Sequence, residues 1–230
     1  MATAQNRLVQ RLPREDRARL IGLAEAVPLV LSEVLGEPGR ATRHVYFPTS
    51  GFISLVTLVA GSPGVEVGMV GREGMLGAQL VLGVGTAPVR AVVQGPGTAW
   101  RVGAAAFRDA LAQSAALRRV LNKYLFVLMT QMTHSAACLR FHLIGPRLAR
   151  WLLMSQDRAQ AESFSVTQEF LAYMLGVRRV GITAAAGTLQ RGGLIEYHRG
   201  QITVLDRPGL EAAACGCYAA DRRAYALQLS

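Results

Sequence analysis

The chain has 230 residues, of which 51% are hydrophobic and 17% are charged, so it can bury one large core or two modest ones. This composition excludes an intrinsically disordered chain. The formal net charge of +10 favours an anionic partner, either nucleic acid or an anionic lipid surface.

Two features of the sequence bear on its location. Charged residues fill the stretch from Arg7 to Arg19, where a secretory signal would need an apolar core. The longest apolar run without charge, between Lys123 and Arg140, is shorter than the roughly 20 residues that a membrane helix needs. We therefore expect a cytoplasmic protein that does not enter a membrane.

The first hundred residues predict a short helix followed by strands. Residues 13–27 begin with proline and acidic residues and carry apolar residues at helical spacing, which predicts an amphipathic helix. From Leu29 to Val102, β-rich runs alternate with turns that contain glycine and proline. The runs are LVLSEVL, HVYFP, FISLVTLV, VEVGMV, VRAVVQ and TAWRV. Short strands at this spacing predict an antiparallel barrel or sandwich.

The period then changes to that of helices. Residues 104–113 predict a short helix, and residues 115–140 predict a long one. Six residues of the long helix recur at alternating steps of four and three: Leu121, Leu125, Leu128, Met132, Ser135 and Leu139. This heptad-like seam is the spacing that two helices use to wrap around one another, which favours a dimer helix. A seam that packs against the barrel of its own chain explains the pattern equally well.

The C-terminal part predicts a second, smaller domain. Pro146 favours a helix start, and residues 147–154 form the next helix. Counted from Gln168, residues 168–187 have small or apolar side chains wherever the helix-turn-helix template requires them. Gly176 falls at the turn, where a positive φ is needed, and Thr167 is placed to cap the first helix.

A β-hairpin follows the second helix of this motif. Gly192 and Gly193 end the helix, and the strands on either side of Arg199 form the wing of a winged helix. No acidic side chain lies between Glu169 and Glu196, as expected of a surface that faces phosphates. The candidate DNA-contacting residues are Thr167, Arg178, Arg179, Thr183, Thr188, Arg191 and Arg199.

These segments together resemble the Crp/Fnr family of bacterial transcription regulators. The resemblance rests on RHVYFPTSGFISLV, VEVGMVGREGMLG, LIGPRLARWLL and SVTQEFLAYMLGVRRVGITAAAGTLQRGGLI. It implies a β-roll sensor domain, a helix that dimerises and a winged helix that reads the major groove. It also implies that an effector in the β-roll shifts the population between two arrangements of the DNA-binding domains.

The effector pocket departs from the cyclic-nucleotide pattern of that family. Where such members have a Gly-Glu pair, this chain has Gly77 and Ala78, and the nearby arginine is Arg90. Loss of the carboxylate removes a charge-assisted hydrogen bond to the ribose, so we do not expect cyclic AMP to be the effector. The long-helix positions that the resemblance assigns to this pocket are Leu128, Met132 and Thr133.

The resemblance also assigns roles on the second helix of the motif. Arg179 falls where the family commonly places an arginine that forks onto guanine O6 and N7. The acidic residue that often follows is Val180 here, so the operator should differ from the best-known consensus. We expect Arg178 and Arg191 to anchor phosphates, and Arg199 to reach the DNA backbone from the wing.

Metal and redox sites are not predicted. His134, Cys138 and His142 lie four residues apart, but His and Cys at core spacing are more often packed than metal-bound. Cys215 and Cys217 have no further ligands nearby in sequence, and the chain has neither an N-terminal cysteine cluster for iron–sulfur nor a haem signature. The odd set of three cysteines favours free thiols.

We therefore predict an α+β fold with three parts: an N-terminal antiparallel β-roll (jelly-roll) over residues 1–114, a long dimerisation helix and hinge over 115–142, and a winged helix-turn-helix domain over 143–230. The expected function is that of a homodimeric, allosteric transcription regulator that binds double-stranded DNA, has RNA polymerase as a further candidate partner and has no enzymatic activity. The alternative is a β-roll module that binds a ligand or a partner and does not read DNA.

Overall fold

The structure, a computed structural model, describes residues 5–60 and 64–229. It has the α+β architecture that the sequence predicts, with an antiparallel β domain, a long helix and a C-terminal helical domain. The helices are Arg7–Gln10 (α1), Arg14–Gly22 (α2), Ala104–Gln113 (α3), Ala115–Phe141 (α4), Ile144–Ala159 (α5), Gln168–Leu175 (α6), Arg179–Arg191 (α7), Arg207–Ala213 (α8) and Cys217–Leu229 (α9), with a 3-10 helix at Ala78–Leu82. The strands are Glu25–Leu29 (β1), Val34–Gly36 (β2), His44–Thr57 (β3), Val65–Val70 (β4), Arg90–Gly103 (β5), Ser163–Ser165 (β6), Ile195–His198 (β7) and Gln201–Val204 (β8).

Two long strands dominate the β-roll. β3 and β5 have 14 residues each and pair antiparallel along their whole length, within a sheet of order β1-β5-β3-β4 to which β2 adds at β5. The prediction of a turn inside each of them, at PTSG and at QGPG, is wrong. Gly51 has a φ of +69°, and a Cβ there would lie 2.3 Å from the Gly95 carbonyl oxygen. Gly51 and Gly95 therefore lie at a register shift between two continuous strands, where the two backbones approach closely.

The N-terminal helix is shorter than predicted. α2 ends at Gly22, and residues 25–29 pair with β5 as β1, so the helix predicted over 13–27 is wrong in its second half. The predicted strand LVLSEVL is divided, because Ser32 adopts a φ of +67° in the turn between β1 and β2. In both places, pairing with β5 overrides the local periodicity.

The long helix α4 packs along the roll on one side and against the C-terminal helix α9 on another. The sequence did not predict α9. Tyr124 is buried and donates a hydrogen bond from its hydroxyl to the Met75 carbonyl, which ties α4 to the loop after β4. α9 lies against α4 and ends close to the roll, where the Tyr225 hydroxyl donates to the Glu73 carbonyl. α9 therefore connects the end of the chain to both other parts.

The C-terminal domain shares a core with the β-roll. Phe52, Val56 and Met69 of the roll lie in the same buried apolar cluster as Trp151 of α5 and Leu171 of α6. An ion pair of 2.8 Å between Arg158 and Glu73 lies at the same junction. The arrangement of the two domains is thus fixed by direct packing as well as by the covalent connection at residues 142–143.

Candidate nucleic-acid interface and effector cavity

The helix-turn-helix is built from α6, the turn at 176–178 and α7. Thr167 caps α6, and its side-chain oxygen accepts a hydrogen bond from the Phe170 N–H. Gly176 has a φ of +61°, the left-handed conformation that the sequence predicts for the turn. Ala172 and Ile182 are buried where the two helices cross. The motif is therefore closed by the small and apolar residues that predicted it.

The helix α7 has a buried face and an exposed face. Ile182, Ala185, Ala186 and Leu189 are buried. The exposed face consists of short side chains with arginines at its two ends: Arg179, Val180, Thr183, Ala184, Thr188 and Arg191. Gly181 does not belong to this face, because a Cβ there would lie 2.7 Å from the Ile144 side chain. Gly181 instead allows α7 to approach α5.

The two threonines of the exposed face are held by local hydrogen bonds. The Thr183 hydroxyl lies 2.7 Å from the Gln168 side-chain oxygen, which links the exposed sides of α7 and α6. The Thr188 hydroxyl donates to the Ala184 carbonyl and accepts from Arg191. Gln168 was not among the predicted site residues, since only the folded motif brings it to Thr183.

The wing is a two-residue hairpin between β7 and β8. Arg199 and Gly200 both have a positive φ, of 49° and 81°, and they connect His198 directly to its cross-strand partner Gln201. Two consecutive left-handed residues are the mark of the type I′ turn. The Tyr197 hydroxyl donates to the Val166 carbonyl and holds the wing against the start of α6. Arg199 therefore sits at the tip of the hairpin.

The four predicted DNA-contacting arginines are exposed and lack acidic partners. Among the described residues, Arg178, Arg179, Arg191 and Arg199 form no ion pair. Arg179 and Arg199 line the same surface depression, together with Thr167 at the start of α6. The structure thus gathers cations from α7 and from the wing on one side of the domain, where they can meet a polyanion.

An apolar cavity of about 180 Å³ lies between the roll and α4. Four of the six predicted effector residues line it: Gly77, Ala78, Leu128 and Met132. Arg90 does not reach the cavity, because its guanidinium pairs with Glu37 at 2.8 Å. Thr133 lies on the exposed side of α4, where its hydroxyl donates to the Met129 carbonyl. The predicted site is therefore present without the arginine that would bind a phosphate.

Few polar groups line this cavity. Gln79 donates a hydrogen bond of 2.7 Å to the Thr42 hydroxyl, and His44 is the third polar side chain of the lining. Gly77 has a φ of +89°, and a Cβ there would lie 2.8 Å from the Val45 side chain, so the backbone is pressed against the roll. The remaining lining is mostly aliphatic and thioether carbon.

The predicted dimer seam turns largely toward the protein's own core. Leu121 is buried in the cluster under the roll, and Leu125, Leu128 and Met132 pack at the edges of the two roll clusters. Ser135 is buried and accepts a hydrogen bond from Arg150, while Leu139 is half-buried. Beside the seam, α4 has an exposed stripe formed by Phe126, Met129, Thr133, Ala136 and Ala137. Phe126 and Met129 are 56% and 65% exposed, so the stripe contains two large apolar side chains.

A buried charged network and a further buried arginine lie near the hinge between α4 and α5. Asp221 of α9 accepts from Arg150 and contacts His134 Nδ1, each at 2.7 Å, so the partner of His134 is Asp221. Arg147 donates to the Leu175 carbonyl at the end of α6. Burial lowers the pKa of Arg147, and the neighbouring Cys138 and Cys215 act in the opposite direction.

One carboxyl group at the junction of the domains has a displaced pKa. Glu66 of β4 accepts a hydrogen bond of 2.5 Å from the Ser54 hydroxyl and lines a small cavity with Arg150 and Trp151. Desolvation raises its pKa from 4.5 to about 7, although Ser54, Arg158 and Arg150 all lower it. Glu66 is therefore a group whose charge changes near neutral pH.

Comparison with known proteins agrees with this description. Residues 146–213 match the Crp-like helix-turn-helix domain. Three solved structures illustrate the shared fold. A protein from Eubacterium rectale, described as a transcriptional regulator of the crp/fnr family, has a TM-score of 0.69 and 17% identity and covers 90% of this chain and 96% of its own. A CRP/FNR-family regulator from Thermus thermophilus has a TM-score of 0.68 and 21% identity, and the match covers 83% of this chain and 98% of its own. The c-di-GMP responsive global regulator CLP from Xanthomonas campestris has a TM-score of 0.68 and 16% identity, and the match covers 84% of this chain and 100% of its own.

No curated protein sequence matches the chain. The resemblance predicted from the sequence is confirmed for the helix-turn-helix domain and for the fold. Among the described residues, none of the helices combines the length and the apolar character needed to cross a bilayer.

Proposed function

We propose that this chain, which combines the fold of the Crp/Fnr regulators with a Crp-like helix-turn-helix domain, is a dimeric, sequence-specific DNA-binding regulator whose effector is apolar. The observation that carries the DNA-binding part is the slim exposed face of α7, with unpaired arginines at both ends and a third at the wing tip. The proposed function includes no catalytic step.

The arginines support distinct roles in a DNA complex. Arg179 lies in the first turn of α7, and in helix-turn-helix complexes the first residues of this helix meet the base edges in the major groove. Arg178, just before the helix, and Arg191, its last residue, are placed to contact phosphates on either side of the groove. Arg199 would contact the backbone from the wing. The short side chains between the arginines leave room for the edges of the bases.

The exposed apolar stripe of α4 supports a dimer. Crp/Fnr regulators act as dimers, and a symmetric pair presents two recognition helices to two half-sites of an operator. Phe126 and Met129 lie on a face of α4 that the other described residues leave uncovered. We therefore place the dimer contact on the stripe of Phe126, Met129, Thr133, Ala136 and Ala137, beside the predicted seam.

The cavity between the roll and α4 supports an apolar effector. A cyclic nucleotide would bring a phosphate and a ribose, yet Arg90 is engaged by Glu37 and Ala78 offers no carboxylate. A buried phosphate without a cation is strongly disfavoured. A small apolar molecule with one or two hydrogen-bonding groups fits the aliphatic lining and the few polar groups at Thr42, His44 and Gln79.

An effector in this cavity would touch both the roll and α4. Leu128 and Met132 line the cavity, and Met129 both lines it and belongs to the stripe proposed as the dimer contact. Binding would therefore change the packing of one helix turn at the dimer interface, and so bias the two arrangements of the DNA-binding domains. A role in transcription also implies RNA polymerase as a further partner. DNA binding implies that the protein works in the cytoplasm, where the bacterial chromosome lies.

DNA titrations test the proposal. A preferred duplex is first selected from a random pool, and binding is then measured by fluorescence anisotropy at fixed salt against this duplex and a scrambled one. We expect Arg179→Ala to reduce discrimination between the two by about 1–3 kcal/mol, and Arg191→Ala to weaken both alike. Arg14→Ala is the matched control, since it removes the same charge from an exposed position on α2.

Four outcomes are informative. Equal loss on both duplexes for Arg179→Ala would remove Arg179 from base reading. Unchanged binding in Arg191→Ala would remove Arg191 from phosphate contact. Losses in Arg14→Ala as large as those in Arg191→Ala would reduce the effect to net charge. Absence of salt-dependent duplex binding by the wild-type chain would favour the alternative, a β-roll module that binds a ligand or a partner.

A further inference from the structure

Three cysteines and one histidine converge at the hinge between α4 and α5. Cys138 lies in the last turn of α4, and His142 caps that helix with a backbone hydrogen bond of 3.1 Å to the Cys138 carbonyl. Cys215 precedes α9, and Cys217 is its first residue. Residues from opposite ends of the C-terminal half of the chain thus meet at one place.

The ligand atoms of these four residues form a compact group. The three Sγ atoms and the imidazole nitrogen all lie within 4.8 Å of one another. Cys138 Sγ is 3.4 Å from Cys215 Sγ, and Cys217 Sγ is 3.7 Å from His142 Nδ1. For metal–sulfur bonds of about 2.3 Å, the edge of a tetrahedron is about 3.8 Å. Both measured separations are close to that edge, so one ion at the centre would reach all four ligands after small adjustments.

Buried cations lie beside the group. A divalent ion with three thiolates and a neutral imidazole has a net charge of −1, and a buried anion needs a nearby cation. Arg147 and Arg150 line one small cavity with Cys138, and both interact electrostatically with Cys138 and Cys215. Arg150 already pairs with Asp221, but Arg147, which is only 7% exposed, has no acidic partner in the described part of the chain. A metal–thiolate centre would supply the counter-charge that Arg147 lacks.

We propose that Cys138, His142, Cys215 and Cys217 bind one zinc ion in a tetrahedral site. Thiolate and imidazole donors in this number and geometry are those of structural zinc sites. Binding releases the thiol protons to solvent as the three Zn–S bonds form. The site goes beyond the proposed function, because it does not require the chain to bind DNA or an effector.

The site would fasten three elements at the hinge. Its ligands lie at the end of α4 and at the start of α9, and the Cys215 N–H donates to the Pro146 carbonyl in the first turn of α5 at 3.3 Å. Residues 142–143, which connect α4 to the helix-turn-helix domain, lie beside the site. Zinc would therefore hold the C-terminal helix against the hinge and stabilise the folded chain.

Metal analysis of the full-length chain tests the proposal. The protein is purified under reducing conditions, and its zinc content is measured before and after removal of zinc with a chelator. Cobalt(II) is then added to the metal-free protein, since its thiolate charge-transfer and tetrahedral d–d absorption bands report the donor set directly. X-ray absorption at the zinc edge counts sulfur and nitrogen ligands.

We expect one zinc per chain with three sulfur and one nitrogen ligands, and a fall in the thermal midpoint when zinc is removed. Cys217→Ser and His142→Gln are half-buried positions, and each should weaken zinc binding at least roughly 100-fold. His198→Gln, an exposed histidine of the wing, is the matched control and should bind as the wild type does. The cobalt spectrum of the wild type keeps the proposal testable if a variant fails to fold.

Several results would overturn the proposal. These are less than one bound metal per chain in the reduced protein, a cobalt spectrum without thiolate bands, or unchanged metal binding in Cys217→Ser and His142→Gln. Isolation of the chain with a Cys138–Cys215 disulfide that excludes zinc would do the same, and would show the pair of thiols to be a redox site instead.

Discussion

Replacement of Glu66 by glutamine should remove one source of pH dependence from the stability of the protein. Glutamine has the shape of the protonated carboxyl group and can keep a hydrogen bond with Ser54, but it carries no charge at any pH. The carboxyl group of Glu66 has its pKa raised from 4.5 to about 7, first by desolvation. The variant thus isolates the cost of burying the ionised form.

The sign follows from the two pKa values. The unfolded chain releases this proton near pH 4.5, whereas the folded chain keeps it until about pH 7. The stability that the protonated Glu66 contributes to the folded state is therefore fully present below pH 4.5. It falls as the pH rises from 4.5 to about 7, and it does not change further above about pH 7. A rise in pKa from 4.5 to about 7 corresponds to about 3 kcal/mol. Glu66 is half-buried and borders a cavity of about 30 Å³, large enough for one water molecule. Because such partial hydration lowers the cost of ionising the buried carboxyl group, we expect the change in stability with pH to be about 1–3 kcal/mol.

Urea unfolding measures the effect, with tryptophan fluorescence as the signal because Trp151 lies beside Glu66 in the same cavity lining. The free energy of unfolding of Glu66→Gln minus that of the wild type should increase by about 1–3 kcal/mol between about pH 4.5 and about pH 8. Glu162→Gln, an exposed carboxylate without an ion pair among the described residues, should show a constant difference. A constant difference for Glu66→Gln as well would refute the assignment of a raised pKa to this carboxyl group.

Three further outcomes follow from the dimer stripe, the cavity and the turn. Met129→Glu should convert the dimer into a monomer, because it places a charge in the apolar stripe; light scattering after size exclusion would show an unchanged mass if α4 makes no such contact. Ala87→Phe should reduce the binding of an apolar fluorescent probe about tenfold by filling the cavity, whereas Arg90→Ala, outside the cavity, should leave it unchanged; equal losses in both would place the probe elsewhere. Gly176→Ala should lower the free energy of unfolding by about 1–2 kcal/mol, because of its positive φ, whereas Gly145→Ala, in open space within α5, should raise it by about 0.5–1 kcal/mol; equal losses would argue against a strained turn.

The helix-turn-helix was predictable because its determinants are local. The cap at Thr167, the turn at Gly176 and the inward positions on α7 lie within one short stretch, and each constrains only its immediate neighbours. The turn of the wing is equally local, since a pair of left-handed residues specifies the two-residue connection between its strands. The roles of individual arginines in DNA contact stay predictions.

The β-roll was predictable in kind but not in its connections. Turn-like sequences at Pro48–Gly51 and Gly95–Gly97 indicated four strands where the protein has two long ones. The two glycine-containing segments lie opposite one another, and each allows the other backbone to approach. Such mutual accommodation involves residues more than forty positions apart, and it leaves no periodic signal in either segment alone.

The same distinction applies to the two faces of α4. The apolar spacing of α4 determined that it is a long helix with an apolar seam, but not which face meets the roll. That choice is made by packing, since Leu121 and Tyr124 are buried against the roll, which leaves Phe126 and Met129 outside.

By itself, the sequence determined the fold class, the helix-turn-helix and the wing, because short-range periodicity, caps and turn glycines specify them. Only the tertiary structure decided that Arg90 pairs with Glu37 outside the cavity, and that Cys138 and His142 meet Cys215 and Cys217. The sequence placed these two pairs at opposite ends of the C-terminal half, 77 residues apart between Cys138 and Cys215. Contact at that separation depends on α9 folding back along α4, a path set by the packing of helix faces and by no local pattern of residues.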